Sequence, residues 1–294
     1  MRLNGKNIYL SFLKGDKGEK GDPGLDGSGA NPNLIINGDF RVNQRGLTTY
    51  TGVGYGADLW NSENANGTIE ILEKGVRFSA SGGSAYLVNR IEDSNLLENK
   101  QCTLTIYLLD GTKYSATQIL GTEGKSYCWI NLKDNNNTII GDCRVWYYIG
   151  TKTYGVTITM LDGNSVEVEK VKLEYGSIAT PYTPRPYAEE LSMCQRYYLP
   201  TKLAMYVGRT GFSDETTCYI FIPTPTTMRP YKTVVLSSIT IYCNGQTKTP
   251  SEYVIDSVSA NGVSVTCTIE SGFGVRQPVM ASVGSGTYID ARIQ

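Results

Sequence analysis

The chain carries no histidine. The commonest general base is therefore missing, and with it the anchor of Ser-His-Asp, Cys-His and most zinc sites. Seven cysteines remain: Cys102, Cys128, Cys143, Cys194, Cys218, Cys243 and Cys267. The closest two are 15 residues apart, which excludes a C-x-x-C knuckle, and an odd number of this kind reads as free, buried thiols. The Gly-x-Gly stretches at Gly52–Gly54 and Gly284–Gly286 lack the strand-to-helix context of a phosphate cradle. What is left is the chemistry of carboxylates and aromatic rings. Glycoside hydrolysis needs only two carboxylates, but 28 acidic residues supply pairs everywhere and nothing marks one. No catalytic residue, metal ligand or cofactor is assigned, and the chain reads as a non-enzyme.

Glycan binding asks for an aromatic platform with hydrogen-bonding neighbours. Tyrosine dominates, with 21 residues against 6 Phe and 3 Trp. Tyr50 and Tyr55 fall in the loop-like stretch LTTYTGVGYGAD and are surface candidates. Trp60, Trp129 and Trp146 lie in apolar strand-like runs, which favours the core for all three; Trp129 is nevertheless kept with Tyr50 and Tyr55 as a glycan-binding candidate. Loops near Tyr206, Arg209, Phe212, Phe273 and Arg276 are equally open.

The rest of the composition limits the partners. With 27 basic and 28 acidic residues the net charge is −1, against the basic excess of a nucleic-acid binder. No apolar run approaches the roughly 20 residues of a membrane span. The start, MRLNGKNIYLSFLKG, lacks a long apolar stretch and a cleavage site, so the expectation is synthesis in a cytosol without export and no membrane insertion. At roughly 150 residues per domain, 294 residues predict about two domains.

Glycine, at 32 residues, is in excess, and part of the reason is local. In KGDKGEKGDPGLDG it recurs at Gly15, Gly18, Gly21, Gly24 and Gly27. Only glycine fits the axis of three wound polyproline-II chains, so residues 14–30 predict a collagen-like stalk, whose repeat at 14–27 spans roughly 40 Å. Lys14, Lys17 and Lys20 each stand two residues before an acid and can pair between strands. A triple helix makes the protein a parallel homotrimer. Five triplets do not hold three chains by themselves, so flanking domains must help. Residues 1–13 then form a short N-terminal attachment segment, with Asn7–Leu13 as a docking strand.

Residues 31–184 read as β. Thr103–Leu120 turns at Asp110-Gly111, and Val156–Gly176 repeats the hairpin design around Asp162-Gly163, with a phase slip at Lys170 that predicts a bulge. Ser126–Leu132 and Cys143–Gly150 are further strands, and Asp134–Asn137 is a turn. Many short strands with regular turns indicate a sandwich or jelly roll. A helical junction follows at 185–198, introduced by Pro181, Pro184 and Pro186. Tyr187, Leu191, Cys194 and Tyr198 are spaced 4, 3 and 4. That spacing fits either a trimer seam or an amphipathic helix on its own chain. Residues 199–294 return to β alternation, with Asn244-Gly245 and Asn261-Gly262 as turns.

Asn33–Gly46 (NLIINGDFRVNQRG) and Gly56–Trp60 (GADLW) resemble the opening of jelly-roll modules of phage tail fibres, and are similar to carbohydrate-binding modules of the galactose-binding sandwich type. Val171–Tyr198 resembles the end of that module and the junction after it in phage and prophage tail-fibre proteins. The likeness is close over about 45 residues and extends by layout to 31–198. It implies a jelly-roll β-sandwich at 31–184 that binds carbohydrate. Such modules often hold a structural calcium near the opening, where Asp39 and Asp58 lie; turn preference is the simpler account of both. The resulting expectation is a mainly β, homotrimeric bacteriophage fibre in the virion, attached through 1–13, with 199–294 as its tip. Host-surface glycans are its expected partner. A head-attached fibre of mainly structural role, a polysaccharide depolymerase and a prophage-encoded surface adhesin are the alternatives.

Overall fold

A computed structural model describes residues 2–3, 6–7, 30–92, 94–200, 206–211, 214–229, 233–284 and 287–291. The stalk with Gly15, Gly18, Gly21, Gly24 and Gly27, most of the attachment segment and Phe212 lie outside the described residues. The described chain is mainly β, with one α-helix.

In chain order the strands of the first unit follow a small pair, β1 (Arg2–Leu3) and β2 (Lys6–Asn7). They are β3 (Thr49–Thr51), β4 (Gly54–Tyr55), β5 (Trp60–Ser62), β6 (Gly67–Ile71), β7 (Val76–Ala80) and β8 (Ala85–Arg90). After a 3-10 turn at Ser94–Leu97 come β9 (Gln101–Leu108), β10 (Lys113–Ile119), β11 (Ser126–Lys133), β12 (Ile139–Tyr148), β13 (Thr153–Met160) and β14 (Ser165–Tyr175). They form two six-stranded sheets, β10-β9-β14-β7-β6-β3 and β11-β12-β13-β8-β5-β4. All pairings are antiparallel. The inward phase of each strand supplies one core, with Phe78, Leu104, Ile106 and Leu173 from the first sheet and Leu87, Val145, Val156 and Ile158 from the second. This is a β-sandwich, built by period-2 alternation on both sides.

Two turn expectations are corrected. Asp162-Gly163 does not join a hairpin: β13 lies in the second sheet and β14 in the first, so the chain crosses between layers. A turn pair reverses the chain but does not keep its two arms in one sheet; here both arms need inward neighbours. In the C-terminal unit, Ser259 pairs with Gly262, so the loop is Ala260–Asn261 and Gly262 already belongs to a strand. Asn244-Gly245 is a true two-residue loop, both residues having positive φ (49° and 76°). The slip expected at Lys170 appears as a bulge at Glu169, between Val168↔Leu108 and Lys170↔Tyr107. Gly75 faces it: its φ is +71° and a Cβ there would stand 1.9 Å from the Val168 carbonyl oxygen, so only glycine fits.

The segment after β14 folds back as a strap over the first sheet's outer face. Lys172 and Glu174 are fully buried beneath it, 3.1 Å apart. Lys172 Nζ donates to Thr180 Oγ1 (2.6 Å) and the Pro181 carbonyl (3.0 Å), and Thr180 N donates to Glu174 (2.9 Å). The helix α1 spans Tyr187–Gln195. Cys194 is buried against Ile36, Val42, Leu59 and Tyr197 of its own chain, Leu191 packs at the margin, and Tyr187 is exposed. Tyr198 belongs to a strand. The four residues of the expected seam therefore do not form one helical stripe, because the helix ends three residues before Tyr198.

The C-terminal unit has its own core around Ile220, Ile241, Val265 and Ala281. Its strands are β15 (Tyr198–Pro200), β16 (Tyr206–Thr210), β17 (Thr217–Pro223), β18 (Thr233–Val235), β19 (Ile239–Cys243), β20 (Gln246–Lys248), β21 (Glu252–Ser259), β22 (Gly262–Thr268), β23 (Pro278–Val283) and β24 (Tyr288–Asp290). Seven form the sheet β20-β19-β23-β16-β17-β22-β21, and three form β15-β24-β18. All seven cysteines are free and buried.

Candidate functional site

The segments Asn33–Gly46 and Val171–Tyr198 are bonded to each other. Asn33 Nδ2 donates to the Val171 carbonyl (2.9 Å) and its Oδ1 accepts from Leu173 N (3.0 Å). Asn37 Nδ2 donates to the carbonyls of Val42 and Asp58, and the Trp60 indole donates back to the Asn37 carbonyl (2.8 Å). Buried Glu190 of α1 accepts from Asn37 N and from Arg185. These asparagines and the glutamate are architecture. Asp58 is likewise committed: its carboxylate accepts from Gln44 N, Gln44 Nε2 and Arg45, while Asp39 pairs with Arg41 at 3.0 Å. A carboxylate already met by amide and guanidinium donors does not suit a calcium ion, and among the described residues no cluster of three metal-ligating side chains occurs.

The face best equipped to bind lies on the outside of the second sheet. Along β12, Cys143, Val145 and Tyr147 point into the core, so Asp142, Arg144, Trp146 and Tyr148 point out. Along β13, Tyr154, Val156 and Ile158 point in, and Gly155, Thr157 and Thr159 point out. Register sets Trp146 beside Gly155 and Gly155 beside Arg90 of β8. The missing side chain at Gly155 leaves room for Tyr148: a Cβ there would lie 3.1 Å from the ring's Cε2.

An aromatic and cationic row results. The Arg90 guanidinium sits 3.4 Å from the Tyr148 ring centroid and is held by Glu63 at 2.9 Å. Trp146 meets Tyr148 edge-on at 6.5 Å. Arg144 stands 4.7 Å from the Trp129 ring and 5.9 Å from the Trp146 ring, and pairs with Asp142. Burial pushes the Asp142 carboxyl above its ordinary range, with Arg144 pulling the other way. Thr157, Thr159 and Val88 form a nearly buried floor between the taller side chains. Among the described residues, Arg144 Nε and Arg90 Nη1 are buried nitrogens without a hydrogen-bond partner. Both nitrogens lie beneath the surface of the row, where an unmade hydrogen bond costs about 1–3 kcal/mol. Flat rings for C–H faces, two planar donors and a carboxylate are the components of a sugar platform.

Trp129 reaches this face through a bulge. Cys128 has a φ of +50° and the register slips between Tyr127 and Ile130, so Tyr127 and Cys128 both turn inward and Trp129, half exposed, turns out. The core expectation holds for Trp60, which is fully buried, and fails for Trp129 and Trp146. Tyr55 pairs with Asn61, and Asn61 with Val88, which puts Tyr55 on the same face at the opposite edge, 5.5 Å from Arg45. Five strand spacings separate it from Trp129, roughly 24 Å. Tyr50 is elsewhere: it belongs to the first sheet, packs on the core, and its hydroxyl is engaged by Asn43 and Leu47. Of the tip residues, Tyr206 is buried and Phe273 packs on the second core beside Lys248.

Residue type alone points Trp146 to the core and does not mark Tyr148, Arg144 or Arg90. Their signal is the phase of DCRVWYY: in alternation, both large rings Trp146 and Tyr148 share the polar phase with Asp142 and Arg144. No known protein family, curated protein or solved structure matches the chain.

Proposed function

We propose that the chain is the subunit of a homotrimeric bacteriophage fibre, carried on the virion, that adheres to host-surface glycans without catalysing a reaction. The outer face of the second sheet is its glycan platform. The row Trp129–Arg144–Trp146–Tyr148–Arg90 over a floor of threonines carries this reading, because those rings and unpartnered donors serve no core. The G-X-Y run supplies the trimer: three weak sites on one rod gain effective concentration without new contacts. Residues 1–13 attach the fibre, and the particle site, head or tail, is set by what they dock on.

The test is binding of the purified protein to a glycan array and to host cells, wild type against Trp146→Ala and Trp129→Ala. Each ring removed is expected to weaken binding about tenfold, as a loss of 1–3 kcal/mol per stacked aromatic would. Equal binding by both variants would move the site off this face. Loss of capsular polymer on incubation would replace adhesion by depolymerisation. Labelled protein located on intact particles distinguishes a head fibre from a tail fibre.

A further inference from the structure

The seven-stranded sheet of the C-terminal unit buries one face and leaves the other apolar. Cys218, Ile220 and Ile222 of β17 feed the core, which turns Tyr219 and Phe221 outward. Register extends that outward row across the sheet. Met280 pairs with Tyr242 on one side and Val207 on the other; Arg209 pairs with Tyr219, Tyr219 with Thr266, and Thr266 with Val254. Val207 is 73% exposed, Val254 62%, Met280 49% and Phe221 44%. Val207 is the ridge between two open grooves, of about 650 Å³ towards Met280 and Tyr242 and about 390 Å³ towards Tyr219 and Phe221.

Charge on this face is confined to Arg209 and to the edge strand β21, whose Glu252 pairs with the outward Thr268. The strands β19, β23, β16, β17 and β22 carry a single charged side chain, Arg209, which lies 5.1 Å from the Tyr219 ring. Asp256 of the edge strand, bonded to Thr266, lines the same groove. The outer face of the first sheet shows what solvent exposure looks like in this chain: Glu70, Arg77 and Glu167 form a charged ladder across β6, β7 and β14. A valine- and aromatic-rich sheet face with charge only at Arg209 and along one edge marks a covered surface.

We propose that this face is the contact between copies of this chain, three C-terminal units meeting with their seven-stranded sheets turned to a common axis. The inference rests on the trimeric reading above and names where that trimer closes at its far end. Three observations select a second copy as the occupant. On the trimeric reading, the G-X-Y run of the sequence would align three chains in parallel, but five triplets are too few to hold them, so an apolar contact elsewhere in the same chain is required. Seven strands about 4.8 Å apart and about six residues long give a face of roughly 650 Å². That is below the roughly 800 Å² each partner gives to a standard interface, so it suits a contact that closes only when a rod already holds the copies together. Arg209 and Asp256 give the groove one charge of each sign, which complements the same pair on a neighbour.

The full-length chain is tested by mass in solution and by cross-linking. Because every native thiol is buried, Val207→Cys introduces the single reactive one, and a short bis-maleimide is expected to give covalent species of two or more chains. Ile149→Cys, equally exposed but on the first unit, is expected to give none. Val207→Asp is expected to shift the mass from three chains towards one with an unchanged far-ultraviolet spectrum. A trimeric wild type whose Val207→Asp variant stays trimeric and whose Val207→Cys variant does not cross-link overturns this contact and leaves the trimeric fibre standing. A wild type with the mass of one chain overturns both. A trimeric Val207→Asp protein that has lost host-cell binding assigns the face to the receptor and overturns the contact.

Discussion

Burial decides the behaviour of the titratable side chains. Asp58 is 1% exposed, and burial lifts its carboxyl to about 6 although the Gln44 donors and Arg45 pull it down. An unfolded aspartate titrates near 3.9. Between those values the folded chain holds more proton than the unfolded one, so stability falls as pH rises from about 4 to 6. Above 6 the whole burden, about 3 kcal/mol, is present. Chemical unfolding should show the protein more stable at pH 5 than at pH 7.5, and Asp58→Asn should shrink that difference. A difference of the same size in the variant would assign the pH dependence to another group. The thiols follow the same rule: burial pushes Cys102 and Cys267 up to about 12, and Cys128 and Cys218 to about 11, so they are protonated and inert near neutrality.

Among elements, the strap over the first sheet depends on one buried ion pair. Lys172→Met leaves Glu174 charged and uncompensated at zero exposure, and should destabilise the first unit by roughly 3–5 kcal/mol. Lys172→Met with Glu174→Leu removes both charges and should recover much of that loss, read as two midpoints in denaturant; equal destabilisation by single and double variants would deny the pair its role. Nothing in VKLEYG announces this pair, since K-x-E in an outward phase normally faces water. Alternation was a better guide where one face is wet. It reveals β9 and β12, whose inward residues repeat every second position, β11 outside its bulge at Cys128, and the bulge near Lys170. It failed at Asp162-Gly163, where the turn is local but the choice of sheet is made by packing across the sandwich. Trp129 needed the left-handed Cys128 to reach the surface, and no residue type at that position signals it. Tyr55 was legible as a surface ring because glycines flank it, whereas Tyr50 shares that texture but is fastened by Asn43.

At the scale of the molecule, the proposed rod and the proposed platform are expected to act together. Gly21→Ala places a methyl group at the axis of the proposed triple helix. It should leave the affinity of a single platform for a soluble oligosaccharide unchanged. Retention on a surface coated with the same sugar should drop by a factor on the order of 100, the loss of linked binding. Surface plasmon resonance in both orientations measures the two quantities; parallel losses in both would show that the rod carries no multivalency.

The first and last strands of the C-terminal unit are neighbours. Tyr198 pairs with Asp290, Leu199 with Ile289, and Ala291 N donates to the Tyr197 carbonyl at 2.7 Å. The described residues 198–291 thus start and finish on neighbouring strands, immediately after α1. In the fibre proposed above that makes them one exchangeable block, whose replacement at the junction leaves the strands of the sandwich intact. Variation in the proposed fibre is then expected to break at α1, with a different C-terminal unit joined to an unchanged sandwich.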